Sequence, residues 1–264
     1  MSNIVIYGPG GSGKSTLAAS FCELGFHVKF IDADKKISGM RNLEEWIKEG
    51  RVSYIEMETS LMSAGTLKQR AQQITKYYPK VAPKGYYEIC EILDDLFDNP
   101  PEDHKEIVIT LDSFTRINEH LKRLIKHFAK KPKLTFDEWD AMLANYEELT
   151  DYFFNTKPEL YAHRIMIAHS KDEYNDKGGL VGISPHIDGQ FKDKLVTFVE
   201  EMWYTEVDAP GKHSPAKFIV TTKPVGMLKH ARTSRKLKTR MPAEITTILS
   251  GEDFEDDVEE ESDD

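Results

Sequence analysis

A glycine-rich segment close to the N-terminus constrains the fold of this chain more than any other feature. An apolar run at 4–6 precedes it, and an amphipathic helix pattern from 14 to about 24 follows it. The segment comprises Gly8, Pro9, Gly10, Gly11, Ser12, Gly13, Lys14, Ser15 and Thr16. Strand, glycine-rich loop and helix in this order match the phosphate-binding motif GxxxxGK[ST]. The sequence therefore predicts an α/β fold that holds a nucleoside triphosphate at the start of its first helix.

The residue types of this loop match the chemistry of a triphosphate with its magnesium ion. Glycines allow backbone N–H groups to turn inward around phosphate oxygens, and the positive end of the helix dipole points at the same place. We expect Lys14 to reach the β- and γ-phosphates and Ser15 to ligate Mg²⁺. The predicted cofactors are thus ATP and Mg²⁺.

Length and composition narrow the class of protein further. The 264 residues suffice for one α/β domain with insertions. No apolar stretch approaches the length of a membrane span, and no secretory signal pattern precedes the first strand. Cys22 and Cys90 lie far apart and outside any CxxC pattern, which argues against a disulfide framework or a zinc site. We therefore expect a cytoplasmic protein without a membrane partner.

Charge is distributed unevenly along the chain. Ten of the 45 acidic residues lie within 251–264 without a basic residue, which leaves 35 acidic against 35 basic residues in the remainder. Such a composition predicts a disordered acidic tail. A basic segment at 223–240 precedes the tail, lacks acidic residues, and contains Lys223, Lys229, Arg232, Arg235, Lys236, Lys238 and Arg240.

Alternating strand and helix patterns without an internal repeat predict a mostly parallel central sheet with helices on both faces. The run 107–111 is continuously apolar, as expected of a central buried strand. A further strand is predicted at 164–168, followed by a polar, glycine-containing loop from 170 to about 190. We assign 1–250 to one domain with a helical insertion at about 59–84, and the remaining residues to the tail.

The strand at 107–111 ends in a carboxylate that we interpret as the second nucleotide motif. A carboxylate at the end of such a strand, downstream of a phosphate loop, holds Mg²⁺ through a water molecule beside the hydroxyl of Ser15. Asp112 is the residue in this position. The competing interpretation is an aspartate that starts a turn.

Another carboxylate follows the second predicted strand, at the edge where open α/β sheets place ligands. Asp34 is the candidate there for orienting or deprotonating the attacking water. Asp32 competes for this role, and a helix cap ahead of Lys35 and Lys36 is the structural alternative.

His169 closes the strand at 164–168 and leads into the glycine-containing loop. A neutral imidazole can donate a hydrogen bond to phosphate, so His169 is a candidate sensor of the γ-phosphate that passes its presence to the loop. A structural histidine with satisfied hydrogen bonds is the alternative.

Three interpretations remain open for the basic segment. Most charge runs are solvated faces. The segment could instead bind the phosphate backbone of a nucleic acid, or insert a cation into the ATP site of a neighbouring subunit. Lys223 and Arg240 are the candidates for such a finger acting in trans.

Together these motifs resemble the RecA-type recombinase core, and in particular the small bacteriophage ATPases of the Sak group that accompany single-strand annealing. The strand leading to Asp34 resembles the one that carries the catalytic glutamate of RecA-type enzymes. Leu111-Asp112-Ser113 resembles their magnesium-site strand, and Ala168-His169-Ser170 resembles the sensor strand of the phage group. Phe136-Asp137-Glu138-Trp139 resembles a helix of that group.

This resemblance implies a RecA-like P-loop NTPase fold and an ATPase that acts in DNA recombination or repair. It further implies single-stranded DNA as partner, assembly into a homo-oligomer, and a location in the host bacterial cytoplasm if the protein is encoded by a phage. The loop at 170–190 would contact DNA. The acidic tail would mask a basic DNA site or recruit replication and recombination proteins.

Two other classes of function compete with this hypothesis. A small-molecule or nucleoside kinase also opens with a strand and a phosphate loop, although its arginine-bearing lid is not expected as late in the chain as the basic segment lies. The other alternative is an ATP-binding scaffold that does not hydrolyse its nucleotide.

Overall fold

The computed structural model describes residues 1–58, 81–208 and 216–250. The predicted insertion at about 59–84 lies largely outside these ranges, and the acidic tail lies wholly outside them. Among the described helices, none is both long enough and apolar enough to cross a lipid bilayer.

The described strands form one sheet around the strand that precedes the phosphate loop. In chain order they are β1 (Ser2–Gly8), β2 (His27–Asp32), β3 (Val52–Glu56), β4 (Ile107–Asp112), β5 (His163–Tyr174), β6 (Leu180–Pro185), β7 (Glu201–Asp208), β8 (Lys217–Thr221) and β9 (Arg240–Pro242). The sheet order is β3-β2-β4-β5-β1-β7-β8-β9, and β6 pairs with the outer part of β5. Neighbours from β3 to β7 are parallel, whereas β7–β8, β8–β9 and β5–β6 are antiparallel.

Helices cover both faces of this sheet. They are α1 (Lys14–Ala19), α2 (Glu44–Lys48), α3 (Gly85–Asp98), α4 (Phe114–Ala129), α5 (Phe136–Asn155), α6 (Phe191–Leu195) and α7 (Ile245–Ser250). Successive residues of a strand point to opposite faces. In β1, Val5 and Tyr7 pack in the core with α3, α4 and α5, while Ile4 and Ile6 pack in the core with α1 and α7. The predicted α/β architecture, a mostly parallel sheet with helices on both faces, is confirmed.

The parallel register brings the predicted site residues to one edge of the sheet. Gly8 at the end of β1 lies opposite His169 of β5, and Asp32 at the end of β2 lies opposite Asp112 of β4. The carboxyl ends of neighbouring parallel strands meet at the same edge. Residues separated by more than 150 positions in the chain therefore become neighbours there.

The prediction of a polar loop from 170 to about 190 is wrong. β5 continues to Tyr174, turns at 175–179 and returns as β6, with a register shift between Glu173 and Tyr174. The turn is stabilised by Asn175, whose side-chain oxygen accepts hydrogen bonds from the amides of Lys177 and Gly179. Three of the glycines that favoured a loop, Gly178, Gly179 and Gly182, occupy the turn and the returning strand of a β-hairpin. The first predicted helix also differs, because α1 ends at Ala19 and a 3₁₀ turn follows.

Close packing of α3 against α4 depends on a glycine. A Cβ atom at Gly85 would overlap the imidazole ring of His120, which is 1% exposed. We expect Gly85→Ala to lower the free energy of unfolding by about 1–3 kcal/mol, because neither helix backbone can move apart without opening the core. Gly39→Ala is the matched control, since a Cβ at Gly39 meets no atom within 4 Å. The two urea unfolding midpoints decide the matter, and equal midpoints would contradict the packing argument.

Candidate functional site

The phosphate loop runs from the end of β1 to the start of α1, and its conformation requires glycine. Gly11 and Gly13 adopt φ angles of 77° and 84°, in the left-handed region that only glycine enters without strain. Gly8 is needed for a different reason: a Cβ there would overlap the carbonyl oxygen of Thr205 in β7. The loop is therefore built to hold a backbone shape that side chains would prevent.

Lys14 is enclosed by the loop that precedes it. Its ammonium group donates hydrogen bonds to the carbonyl oxygens of Gly8, at 2.9 Å, and Pro9, at 2.6 Å. Burial lowers the pKa of Lys14 to about 8, against the opposing effect of the Asp112 carboxylate. A poorly solvated cation with only neutral oxygen partners gains strongly from an anionic ligand. Lys14 thus lies where the sequence predicted a phosphate-binding cation.

Ser15 and Asp112 meet directly, although 97 positions separate them. The Ser15 hydroxyl donates to the Asp112 Oδ2 atom at 2.5 Å. Burial raises the pKa of Asp112 to about 6, and the hydrogen bond from Ser15 acts in the opposite direction. A hydroxyl and a carboxylate are oxygen ligands of the kind that would hold Mg²⁺. The pair fits the predicted magnesium site.

Asp34 is held by donors from three residues. Its carboxylate accepts hydrogen bonds from Arg116 Nε at 2.9 Å, Ser113 Oγ at 3.0 Å and Lys36 Nζ at 3.0 Å. His169 Nε2 lies 3.8 Å from it. The side chain of Asp34 is only 4% exposed, and burial alone would raise its pKa, but the surrounding donors outweigh this and hold the pKa well below its usual range. Asp34 is therefore an ionised hydrogen-bond acceptor in the same cavity as the Ser15–Asp112 pair.

Asp32, the competing carboxylate, has a structural position. Its Oδ2 atom accepts hydrogen bonds from the backbone amides of Lys36, at 2.8 Å, and Ile37, at 2.7 Å. Its side chain is fully buried, and burial raises its pKa. Asp32 fixes the turn after β2, whereas Asp34 on that turn faces the cavity.

A cavity of about 850 Å³ connects these groups. Lys14, Ser15, Asp34, Lys36, Asp112 and His169 line it together with the phosphate loop. Its volume lies within the range of pockets that hold small molecules and cofactors. Trp46, Phe218 and Glu244 line it as well. Sequence reasoning did not select these three, because they lie in segments without a recognisable motif.

Comparisons with known proteins locate the chain among distant structural neighbours. Neither the protein-family models nor the curated proteins contain a match to it. Among solved structures, the flagellar accessory protein FlaH from Methanocaldococcus jannaschii has 13% identity and a TM-score of 0.40, over 88% of this chain and 81% of that one. The KaiC-like protein PH0186 from Pyrococcus horikoshii has 12% identity and a TM-score of 0.39, over 83% and 78%. Similarity at this level assigns neither an activity nor a partner to this chain.

His169 connects the cavity to the β5–β6 hairpin. Its backbone amide donates to Thr115 Oγ1 at 2.9 Å, and its carbonyl oxygen accepts from the amide of His186 at 2.6 Å. His186 directly follows β6. The ring of His169 is thus within reach of Asp34, while its backbone is bonded to the end of the hairpin. This position is compatible with the predicted sensor role, which stays a prediction.

The basic segment does not form a single cluster of solvated cations. Its arginines bond within the chain: Arg232 donates to the carbonyl of Val196, Arg235 donates to Ser2 and lies beside Glu201, and Arg240 pairs with Glu206. Lys229 and Lys236 are exposed, whereas Lys223 and Lys238 are half-buried. Arg240, one of the two predicted finger residues, therefore has a partner in its own chain.

Two cations and a hydroxyl beside Asp34 were not selected as site residues from the sequence. Arg116 and Ser113 lie at the start of α4, directly after Asp112, and Lys36 follows Asp34 by two residues. A signal was present, since each lies within four residues of a carboxylate that the sequence had already singled out. Short spacing in a turn or at a helix start brings such side chains back onto the same edge of the sheet.

Proposed function

We propose that the protein binds and hydrolyses Mg-ATP, and that it does so on single-stranded DNA as a homo-oligomeric ATPase of phage-type recombination or repair. The proposal of nucleotide binding and hydrolysis is carried by the contact between Ser15 and Asp112, which joins the phosphate loop to the second predicted nucleotide motif. Asp34 lies in the same cavity as this pair. The DNA half rests on the resemblance of the motifs and on the surface described below.

The residues of the cavity supply what hydrolysis needs. The loop amides and Lys14 bind the β- and γ-phosphates, and Mg²⁺ held by Ser15 and Asp112 neutralises phosphate charge when bound. Asp34 orients a water molecule towards the γ-phosphorus. The water oxygen bonds to phosphorus as the bond to the β–γ bridging oxygen breaks, and a proton of the water passes to an oxygen of the released phosphate, because Asp34 with its low pKa orients the water without retaining the proton. The products are ADP and inorganic phosphate.

The hairpin and the basic segment adjoin, which favours a shared DNA surface. The amide of Ile183 in β6 donates to the carbonyl of Met227 in the basic segment at 3.0 Å. The hairpin also presents an aromatic ring, Tyr174, which is 61% exposed, and the exposed Lys171 and Lys177. Proteins that bind single strands combine cations along the backbone with aromatic rings that stack on bases.

ATP turnover with and without single-stranded DNA tests this function, in parallel with a panel of nucleosides as phosphate acceptors. We expect DNA to stimulate turnover, and we expect Tyr174→Ala to weaken that stimulation. Tyr87→Ala is the control, because Tyr87 is an exposed tyrosine on α3, outside the proposed surface. Phosphate transfer to a nucleoside without any effect of DNA would instead establish the kinase alternative. Tight ATP binding without turnover would establish the scaffold.

A further inference from the structure

The cavity contains a second lysine that the hydrolysis scheme does not use. Lys36 lines it beside Lys14 and Asp112, with its ammonium 3.0 Å from Asp34 Oδ2. Its side chain is 55% exposed, so it can change partner without repacking the core. Burial is the main cause of the lowered pKa of Lys14, and the positive charge of Lys36 adds to it. Both cations therefore line the cavity that would hold one ligand.

Backbone contacts fix the main chain of Lys36, whereas its side chain can move. Its amide is bonded to the buried Asp32, and Lys35 before it has a φ of 56°. This left-handed conformation at Lys35 directs the side chains of Lys35 and Lys36 to different places. Lys35 donates to the carbonyl of Glu58 at 2.9 Å and does not line the cavity. One of two adjacent lysines thus faces the nucleotide site and the other does not.

Asp34 keeps its remaining partners if Lys36 leaves. Arg116 and Ser113 donate to its two oxygens independently of Lys36. The pair between Asp34 and Lys36 is a single contact to a half-exposed lysine, the kind of ion pair that adds little free energy. A γ-phosphate oxygen is a stronger partner for an ammonium group than a carboxylate, since the phosphate group carries more negative charge. Exchange of partner therefore replaces one charge-assisted hydrogen bond with a stronger one.

We propose that Lys36 is a γ-phosphate ligand contributed by the same chain, and that it gives the site its preference for a nucleoside triphosphate over a diphosphate. On triphosphate binding Lys36 exchanges Asp34 for a γ-phosphate oxygen. A diphosphate lacks this oxygen, and Lys36 stays with Asp34. This inference rests on the proposed nucleotide function and deepens it.

The test compares Lys36→Met with the matched variant Lys35→Met. Affinities for Mg-ATP and Mg-ADP are measured by displacement of a fluorescent diphosphate, and thermal unfolding checks that each variant is folded. We expect Lys36→Met to weaken ATP binding about 10- to 100-fold, the effect of one charge-assisted hydrogen bond. Its ADP affinity should stay within about twofold of the parent, as judged on the same scale. Lys35→Met should change neither affinity, and Lys36→Arg, which keeps the charge, should retain most of the preference for ATP.

Other outcomes overturn the inference in distinguishable ways. Equal losses for ATP and ADP would mean that Lys36 contacts another part of the nucleotide or only supports the turn. An unchanged ATP preference in Lys36→Met would mean that Lys36 does not touch the γ-phosphate. If the parent protein binds neither nucleotide, the proposed function fails and the inference fails with it. The parent measurement alone reveals that case.

Discussion

Lys14→Ala is expected to abolish nucleotide binding at micromolar concentrations and to reduce ATP turnover at least about 100-fold, the loss seen when a main stabiliser of transition-state charge is removed. The physical reason is the environment of this ammonium group. Lys14 is 6% exposed and bonded only to oxygens of its own loop. No other described cation is enclosed by the loop in this way, so nothing replaces it. Turnover by phosphate release and binding by fluorescent displacement both measure the loss.

A neighbouring lysine provides the control for this variant. Lys35→Ala removes a cation of the same type 21 positions later that does not line the cavity. We expect its turnover and affinity to equal those of the parent. If Lys14→Ala retains turnover, or if Lys35→Ala loses as much, the assignment of the phosphate loop is wrong.

Asp34→Asn is expected to separate binding from hydrolysis. The amide keeps an oxygen that accepts from Arg116 or Ser113, so the turn after β2 and the shape of the cavity persist. It cannot carry the negative charge that orients the attacking water. Turnover should therefore fall by about 100- to 10,000-fold, the range for loss of a side chain that assists the attacking water, while ATP affinity stays near that of the parent.

Single-turnover measurement with saturating ATP isolates the chemical step in this variant. Asp188→Asn is a suitable control, since Asp188 is also a partly buried carboxylate in an ion pair, with Lys122, but does not line the cavity. Normal hydrolysis by Asp34→Asn would exclude Asp34 as the residue that orients or deprotonates the water. Loss of ATP binding as well would assign Asp34 to the architecture of the site.

The central part of the sheet could be predicted from the sequence, because its strands have simple apolar patterns and end in residues with recognisable chemistry. The apolar run of β4 predicted its central, buried place, and the glycine-rich loop predicted the start of α1. The four site residues Lys14, Asp34, Asp112 and His169 all line one cavity. Strand ends in a parallel sheet converge whatever lies between them, so a residue at a strand end can be placed without knowledge of the connections.

The hairpin and the choice between Asp34 and Asp32 were harder to predict from the sequence, for physical reasons. β6 lies outside the main sheet and pairs only with the outer part of β5, so its strand pattern lacks the buried alternation of a two-faced core. The choice of Asp34 over Asp32 depends on which carboxylate bonds the turn amides, and that is decided by backbone angles such as the positive φ at Lys35. Neither feature leaves a residue pattern that distinguishes it.

The length of β5 gives the hairpin a mechanical property that a loop would lack. Its twelve residues form one continuous strand from the middle of the sheet to Tyr174. The five steps from His169 to Tyr174 span about 17 Å at the usual rise of a strand. Over this length, a tilt of about 5° at His169 would displace the ring of Tyr174 by about 1.5 Å. A two-stranded arm of this length would convert a small angular change at His169 into a displacement on the scale of a contact, with no need for any segment to unfold.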